Sequence, residues 1–370
     1  MKKKKFVYTT VIFSGLLMLF SCNQDAIFFK ISQETAPIKP LIPGTPTNMV
    51  EFTRNGTTAM YVASGNTLHW YSHGAWDGGP GSVPQPRGWI SGLAVTSDFL
   101  YALRFFLGPE KQLMRISKSG GDWEEVKIQP GVEYTILQTI YADSSSTWLF
   151  AGARINNVTV QRYGILYLDT ATNTLKLLKD DIGLLYGAAS DSSNNHYLCT
   201  TTGVYTVNES DLSDVKQIGE GTFVGMLKLN STPKIIVVER DGRIFEVKSS
   251  GLIHKVSIDN TATGALALWT DGGRKMLTAG IQRNSNAYGY VEFTVDSDDL
   301  PTGSPSEPYT TVDTLTDRYQ ASLGKYPINH MHQASVAVDP DNRRFFASTV
   351  NQGLWSYRNR SGGPQWNAEN

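Results

Sequence analysis

Seven short apolar runs return along this chain: Tyr61-Val62-Ala63, Leu100-Tyr101-Ala102, Leu149-Phe150-Ala151, Tyr197-Leu198-Cys199, Ile236-Val237-Val238, Leu277-Thr278-Ala279 and Phe345-Phe346-Ala347. Their third positions stand 39, 49, 48, 39, 41 and 68 residues apart. A sustained spacing of about 40–50 residues marks a chain assembled from copies of one supersecondary unit. Each run is followed by an aromatic and β-branched segment that reads as its hairpin partner, for example 113–116, 204–207 and 354–357. Each run after the first is preceded by a strand of small and apolar residues: 92–95, 140–142, 187–189, 225–229, 264–268 and 335–338. Small residues suit a strand crowded by its neighbours on one axis. A polar Ser/Gly turn then leads into a fourth, outer strand at 123–128 and 252–258.

This pattern resembles an all-β, seven-bladed β-propeller of four-stranded antiparallel blades, of the bacterial lipoprotein kind, over residues 48–370. The resemblance is architectural and carries no single function. Two stretches, Ser117 to Trp123 and Asn359 to Trp366, are similar to the outer-turn Asp-box of sialidase-type propellers, with Ser where the aspartate belongs. The Trp-Asp dipeptide of other propellers does not recur: Trp76-Asp77 is expected in a loop.

The first residues set location. MKKKKFVYTTVIFSGLLMLFSC is a basic segment followed by an apolar stretch of the length of a secretory signal, short for a membrane span. Leu19-Phe20-Ser21-Cys22 resembles a bacterial lipobox, in the looser form that spirochaetes tolerate, because Phe20 is bulky. The resemblance implies cleavage after residue 21 and acylation of Cys22, which holds the protein at a membrane once two or more chains are attached. Residues 22–47, with a Pro-rich stretch from Pro37 to Pro46, form the tether. Within it, 27–31 is strand-like and is favoured over 365–367 as the outer strand that closes the ring. The expected location is the bacterial cell envelope, at the outer membrane rather than the inner, facing the periplasm or the surface. Cys199 is left without an intramolecular partner and occupies a small-residue core position of the repeat.

Composition narrows the partners. The 370 residues are 40% hydrophobic and 18% charged, with 34 Gly, which excludes a disordered or coiled-coil chain. Without Lys2 to Lys5 the count is 29 basic against 34 acidic residues, a net charge of −5. A nucleic-acid partner, which needs phosphates neutralised, is therefore not expected. No catalytic motif is present, and no cofactor or metal is expected.

Candidate binding residues lie on one face of the ring, where the connections at 77–87, 154–162, 281–287 and 295–333 are expected to gather. Arg104, Arg154, Arg240 and Arg283 each follow the repeat position by two to four residues, and a ring of guanidinium groups could receive a carboxylate or an anionic glycan. The competing reading is local pairing, as of Arg240 with Glu239 or Asp241. His330 and His332 enter the last inner strand and share a face if it is extended, though no third ligand is placed to make a metal site. Around the first unit, interblade packing accounts equally well for Trp70 and Trp89, which leaves Trp76 as an anchor for a sugar or a protein. Asp180-Asp181 and Asp298-Asp299 read as solvated turns. The expected function is a non-catalytic, membrane-anchored binding module acting through these loops on a protein, host or envelope component. The alternatives are a carbohydrate-binding or carbohydrate-cleaving propeller and a scaffold of an envelope assembly.

Overall fold

The chain divides into two units, Met1–Lys39 and Pro40–Asn370. The computed structural model describes residues 41–78, 81–105, 112–142, 147–155, 161–229, 234–271, 273–284, 287–306, 327–335, 345–360 and 363–369, all in the second unit. The signal, Cys22 and the segment 27–31 lie outside the described residues.

The described residues are all-β, arranged as seven consecutive antiparallel meanders of four strands, spanning 50–76, 89–128, 134–180, 185–220, 223–257, 261–306 and 328–368. Every apolar run of the repeat is the second strand of its meander, buried on both sides, and every aromatic segment after it is the third. The first strands are Val50–Arg54, Trp89–Val95, Tyr134–Ala142, Leu185–Ser190, Phe223–Lys228, Thr261–Asp271 and Ile328–Gln333. All seven meanders contribute residues from this inner part to the wall of one cavity of about 650 Å³. Crowding there selects small residues. A Cβ on Gly187 would stand 2.5 Å from that of Met226, and one on Gly225 would strike the carbonyl of Gly264.

Apolar packing between meanders supplies the stability. Leu103, Leu113, Ile140 and Leu166 share one cluster across the second and third meanders, and Val238, Ile244, Leu266 and Leu277 another across the fifth and sixth. Each such fully buried side chain contributes about 1.5–3 kcal/mol.

Four details depart from the sequence reading. The second and third meanders are joined into one eight-stranded sheet, because Thr174 and Leu175 pair in parallel with Lys127 and Ile128. This satisfies outer-edge backbone groups that would otherwise stay open. The last inner strand is Ile328–Gln333, so the histidines stand within it instead of leading into it; of the expected 335–338, residues 336–338 lie outside the described residues. The stretch 295–333 is not one loop, since Pro301–Ser306 forms the outer strand of the sixth meander, Pro301 occupying its first position where no ladder N–H is required. Trp76 belongs to the short outer strand Ala75–Trp76 instead of a loop.

The ring closes by packing and a backbone strap. The outer strand of the last meander is Gly363–Ala368, from its own sequence. Residues 41–46 lie across the end of that meander: Leu354 N–H donates to Ile42 O at 3.0 Å, Gly353 N–H to Gly44 O at 2.8 Å, and Ser348 Oγ to Pro46 O at 2.7 Å. Ile42, Met60, Tyr71, Phe346 and Leu354 form the core between the first and last meanders.

Candidate functional site

Most residues around the cavity at the centre are apolar or small, and six bring polar side-chain groups to its wall: Asn48, Glu51, Tyr141, Lys228, His332 and Gln333. Three of them hold seams between neighbouring meanders. Asn48 mimics a strand residue, its Nδ2 donating to Leu93 O at 2.6 Å and its Oδ1 accepting from Leu93 N–H at 2.9 Å. Gln333 Oε1 accepts from Thr270 N–H at 3.0 Å, joining the last two meanders. Glu51 Oε1 lies 3.3 Å from His332 Nε2 and accepts from Ser335 N–H at 2.5 Å, while its Oε2 accepts from Ser335 Oγ. Burial raises the Glu51 pKa, but the hydrogen bond and charge of His332 and the two bonds from Ser335 outweigh it, and the carboxyl ends below its ordinary value. Other seams use the same device away from the cavity: Gln112 bridges to Thr135 and Leu137, and Thr139 Oγ1 donates to Leu185 O at 2.9 Å.

His330 is two residues from His332 and has a different environment. Burial pushes its imidazole pKa down to about 4, so it is neutral at physiological pH. Among the described residues no group of three or more His, Cys, Asp or Glu is placed to hold a metal ion.

The arginines share the expected edge, where each second strand ends, but among the three described ones none lines the cavity. Arg104 is buried and its Nη1 donates to Arg87 O at 2.5 Å. Burial lowers its pKa, with Glu125 opposing. Arg154 is partly buried and has an enclosed Nε, whereas Arg240 is exposed. The Arg283 side chain lies outside the described residues. Arg240 was expected to pair with Glu239 or Asp241. Arg243 takes that role, at 2.7 Å from Glu239 and 2.8 Å from Asp241.

Trp76 packs at 5.1 Å from Tyr71 and 5.9 Å from Phe346, and its indole N–H donates to Glu369 Oε2 at 2.5 Å. It is a ring-closing side chain. Trp89, for which packing between units is the alternative to a role in binding, is 63% exposed, and its cross-strand partner Phe105 is 65% exposed. Phe105 carries no motif, and only the register of its strand reveals it. Asp77, with φ 56°, accepts from Trp70 N–H at 3.0 Å and stands 2.7 Å from His69 Nδ1. Asp299 is no solvated turn residue: it is buried and pairs with Lys275 at 2.6 Å, while Asp298 pairs with Lys234. Cys199 is fully buried, its thiol pKa raised by desolvation, with Sγ 3.7 Å from Gly225 O.

Among solved structures, this geometry matches the extracellular domain of a "putative hybrid two component system" from B. thetaiotaomicron, at TM-score 0.53 and 13% identity over 84% of this chain. The fold is that of a β-propeller. A second structure, titled as the extracellular domain of a "putative one component system" of that organism, gives TM-score 0.52 at 13% identity, again over 84% of this chain. The propeller spans 38% of the length of each of these two chains. A protein titled a "putative gluconolactonase" aligns at TM-score 0.44 and 15% identity, over 68% of this chain and 90% of its own. No protein-family model and no curated protein matches the sequence. No helix among the described residues is long and apolar enough to cross a membrane.

Proposed function

We propose that this chain is a lipid-anchored, seven-bladed propeller of the bacterial envelope that binds an extracytoplasmic partner through its upper edge, the edge where second strands end, without catalysing a reaction. The observation that carries this reading is the division of labour among polar groups. At the centre, Asn48, Glu51 and Gln333 are engaged between meanders, where they hold the ring together. On the upper edge, Arg87, Trp89, Phe105 and Arg240 are exposed. Exposed aromatic and arginine side chains beside long connections are the usual means of recognition on a rigid scaffold. Anchoring rests on the lipobox-like Leu19-Phe20-Ser21-Cys22, and an extracytoplasmic location fits the extracellular domains that share the fold.

Two measurements test it. Labelled palmitate should enter the protein and be lost in Cys22→Ala; unchanged labelling sinks the anchor. Affinity capture from envelope extracts should recover a partner that is lost when residues 307–326 are replaced by a short Gly/Ser linker. Recovery of the same proteins by both forms, or of none by either, sinks the binding reading as drawn.

A further inference from the structure

Among the described residues, five large apolar side chains are strongly exposed, and Trp89 and Phe105 are the two aromatics in that set. They are direct cross-strand neighbours, at the start of Trp89–Val95 and the end of Phe99–Phe105. Directly opposed residues of an antiparallel pair put their side chains on one face, with Cβ atoms about 5 Å apart. The two side chains therefore leave the same face of the strand pair on the upper edge. A register shift follows at once, between Ile90 and Gly92, which is the kind of irregularity that re-aims a side chain at a sheet margin.

The platform is held in place from below. A Cβ on Gly65, in the upper turn of the first meander, would stand 3.9 Å from Trp89 Cζ3, so the indole lies over a residue without a side chain. Gly65 O accepts from Ile90 N–H at 2.7 Å, and Arg87 O from the buried Arg104 at 2.5 Å, which fixes the backbone on both sides of Trp89. A ring braced in this way loses little freedom on binding. Exposed Arg87 and Ser91 flank it with hydrogen-bonding groups.

Resting on the binding-module reading, we propose that Trp89 and Phe105 form the floor of a glycan subsite, taking the C–H faces of successive β-linked pyranose rings whose hydroxyls are equatorial. Such rings present flat apolar faces with polar rims, which suits two exposed aromatic side chains on one strand face, edged by Arg87 and Ser91. The size of the patch favours this occupant over a protein. Two partly exposed aromatic side chains offer on the order of 200–300 Å², well below the roughly 800 Å² per partner of a stable protein interface.

The test is titration of the full mature chain, followed by tryptophan fluorescence and calorimetry, with cellohexaose, laminarihexaose and xylohexaose, and with α-linked maltohexaose for contrast. At least one β-linked hexasaccharide should bind, with Trp89→Ala and Phe105→Ala each weakening it about tenfold or more and Trp89→Phe retaining most of the affinity. Both positions are exposed, so the circular dichroism of the variants should match that of the parent. Absence of binding by the folded parent at about 1 mM, or binding indifferent to both alanine variants, overturns the subsite. Partner capture through 307–326 that survives the double Trp89→Ala, Phe105→Ala variant, with no oligosaccharide bound, overturns the subsite while leaving the binding-module reading standing. Loss of protein-partner capture in that variant, again with no oligosaccharide bound, assigns the patch to a protein and overturns the glycan.

Discussion

Glu51 of the first inner strand accepts a hydrogen bond from Ser335 N–H at 2.5 Å and stands 3.3 Å from His332 Nε2 of the last, so a single carboxylate links the two ends of the ring. Its folded pKa is lowered relative to the ordinary carboxylate. A depressed carboxylate pKa gives stability that is present above the unfolded value and is lost as pH falls through the folded one. Glu51→Gln should therefore destabilise the protein by about 1.5 kcal/mol at pH 7, the scale of a charge-assisted hydrogen bond. The gap between variant and parent should narrow as the pH is taken from 7 down to 3. Urea denaturation at the two pH values measures it, and an equal gap at both counts against the seam.

His330 acts in a higher pH window with the same direction. Its folded imidazole titrates at about 4, whereas the unfolded chain takes up a proton near 6.5. Between those values the unfolded state binds the extra proton, so stability falls as pH drops from about 6.5 to about 4. His330→Asn should flatten that part of the stability curve. In nuclear magnetic resonance titration of the folded parent, the His330 ring signals should stay constant from pH 8 down to 5; a shift centred near 6.5 would contradict the burial.

Trp76 and Ser356 converge on the carboxylate of Glu369, which joins the outer strand of the first meander to the last residues of the chain. Glu369→Ala should leave a buried hydroxyl and an indole N–H without this acceptor, at a cost of about 1–3 kcal/mol. Thermal unfolding reads the loss, and red-shifted fluorescence should accompany it. A melting temperature equal to that of the parent would show that apolar packing alone closes the ring.

Gly187 tests the crowding at the axis. Its Cβ would fall 2.5 Å from Met226 Cβ, which sits on a neighbouring strand backbone and cannot swing away. Gly187→Ala should cost about 1–3 kcal/mol through overpacking. Gly273→Ala meets no atom within 4 Å, but its φ of 84° predicts a strain penalty of about 1 kcal/mol. A larger loss at Gly273 than at Gly187 in denaturation would argue against close packing of the inner strands.

The architecture was legible in the sequence because it rests on local pattern. Tyr101, Leu149 and Val237 sit in runs whose composition demands burial on both faces, and their spacing repeats at the length of a four-stranded meander. Inner-strand glycines such as Gly187 and Gly225 follow from the same logic, since strands meeting at an axis leave no volume for side chains. The placement of Cys199 among buried small residues did as well. What the sequence could not supply was the fate of individual polar and aromatic side chains, because that depends on partners far away in the chain. Arg104 looked available and is turned to a backbone carbonyl; Trp76 looked like a loop anchor and finds Glu369, 293 residues away. Trp89 read equally well as packing and is exposed beside Phe105, because a one-residue register decides which face of a strand meets solvent. Periodicity alone thus determined the repeating ring, and only the tertiary structure decided which groups hold it shut and which are left facing outward.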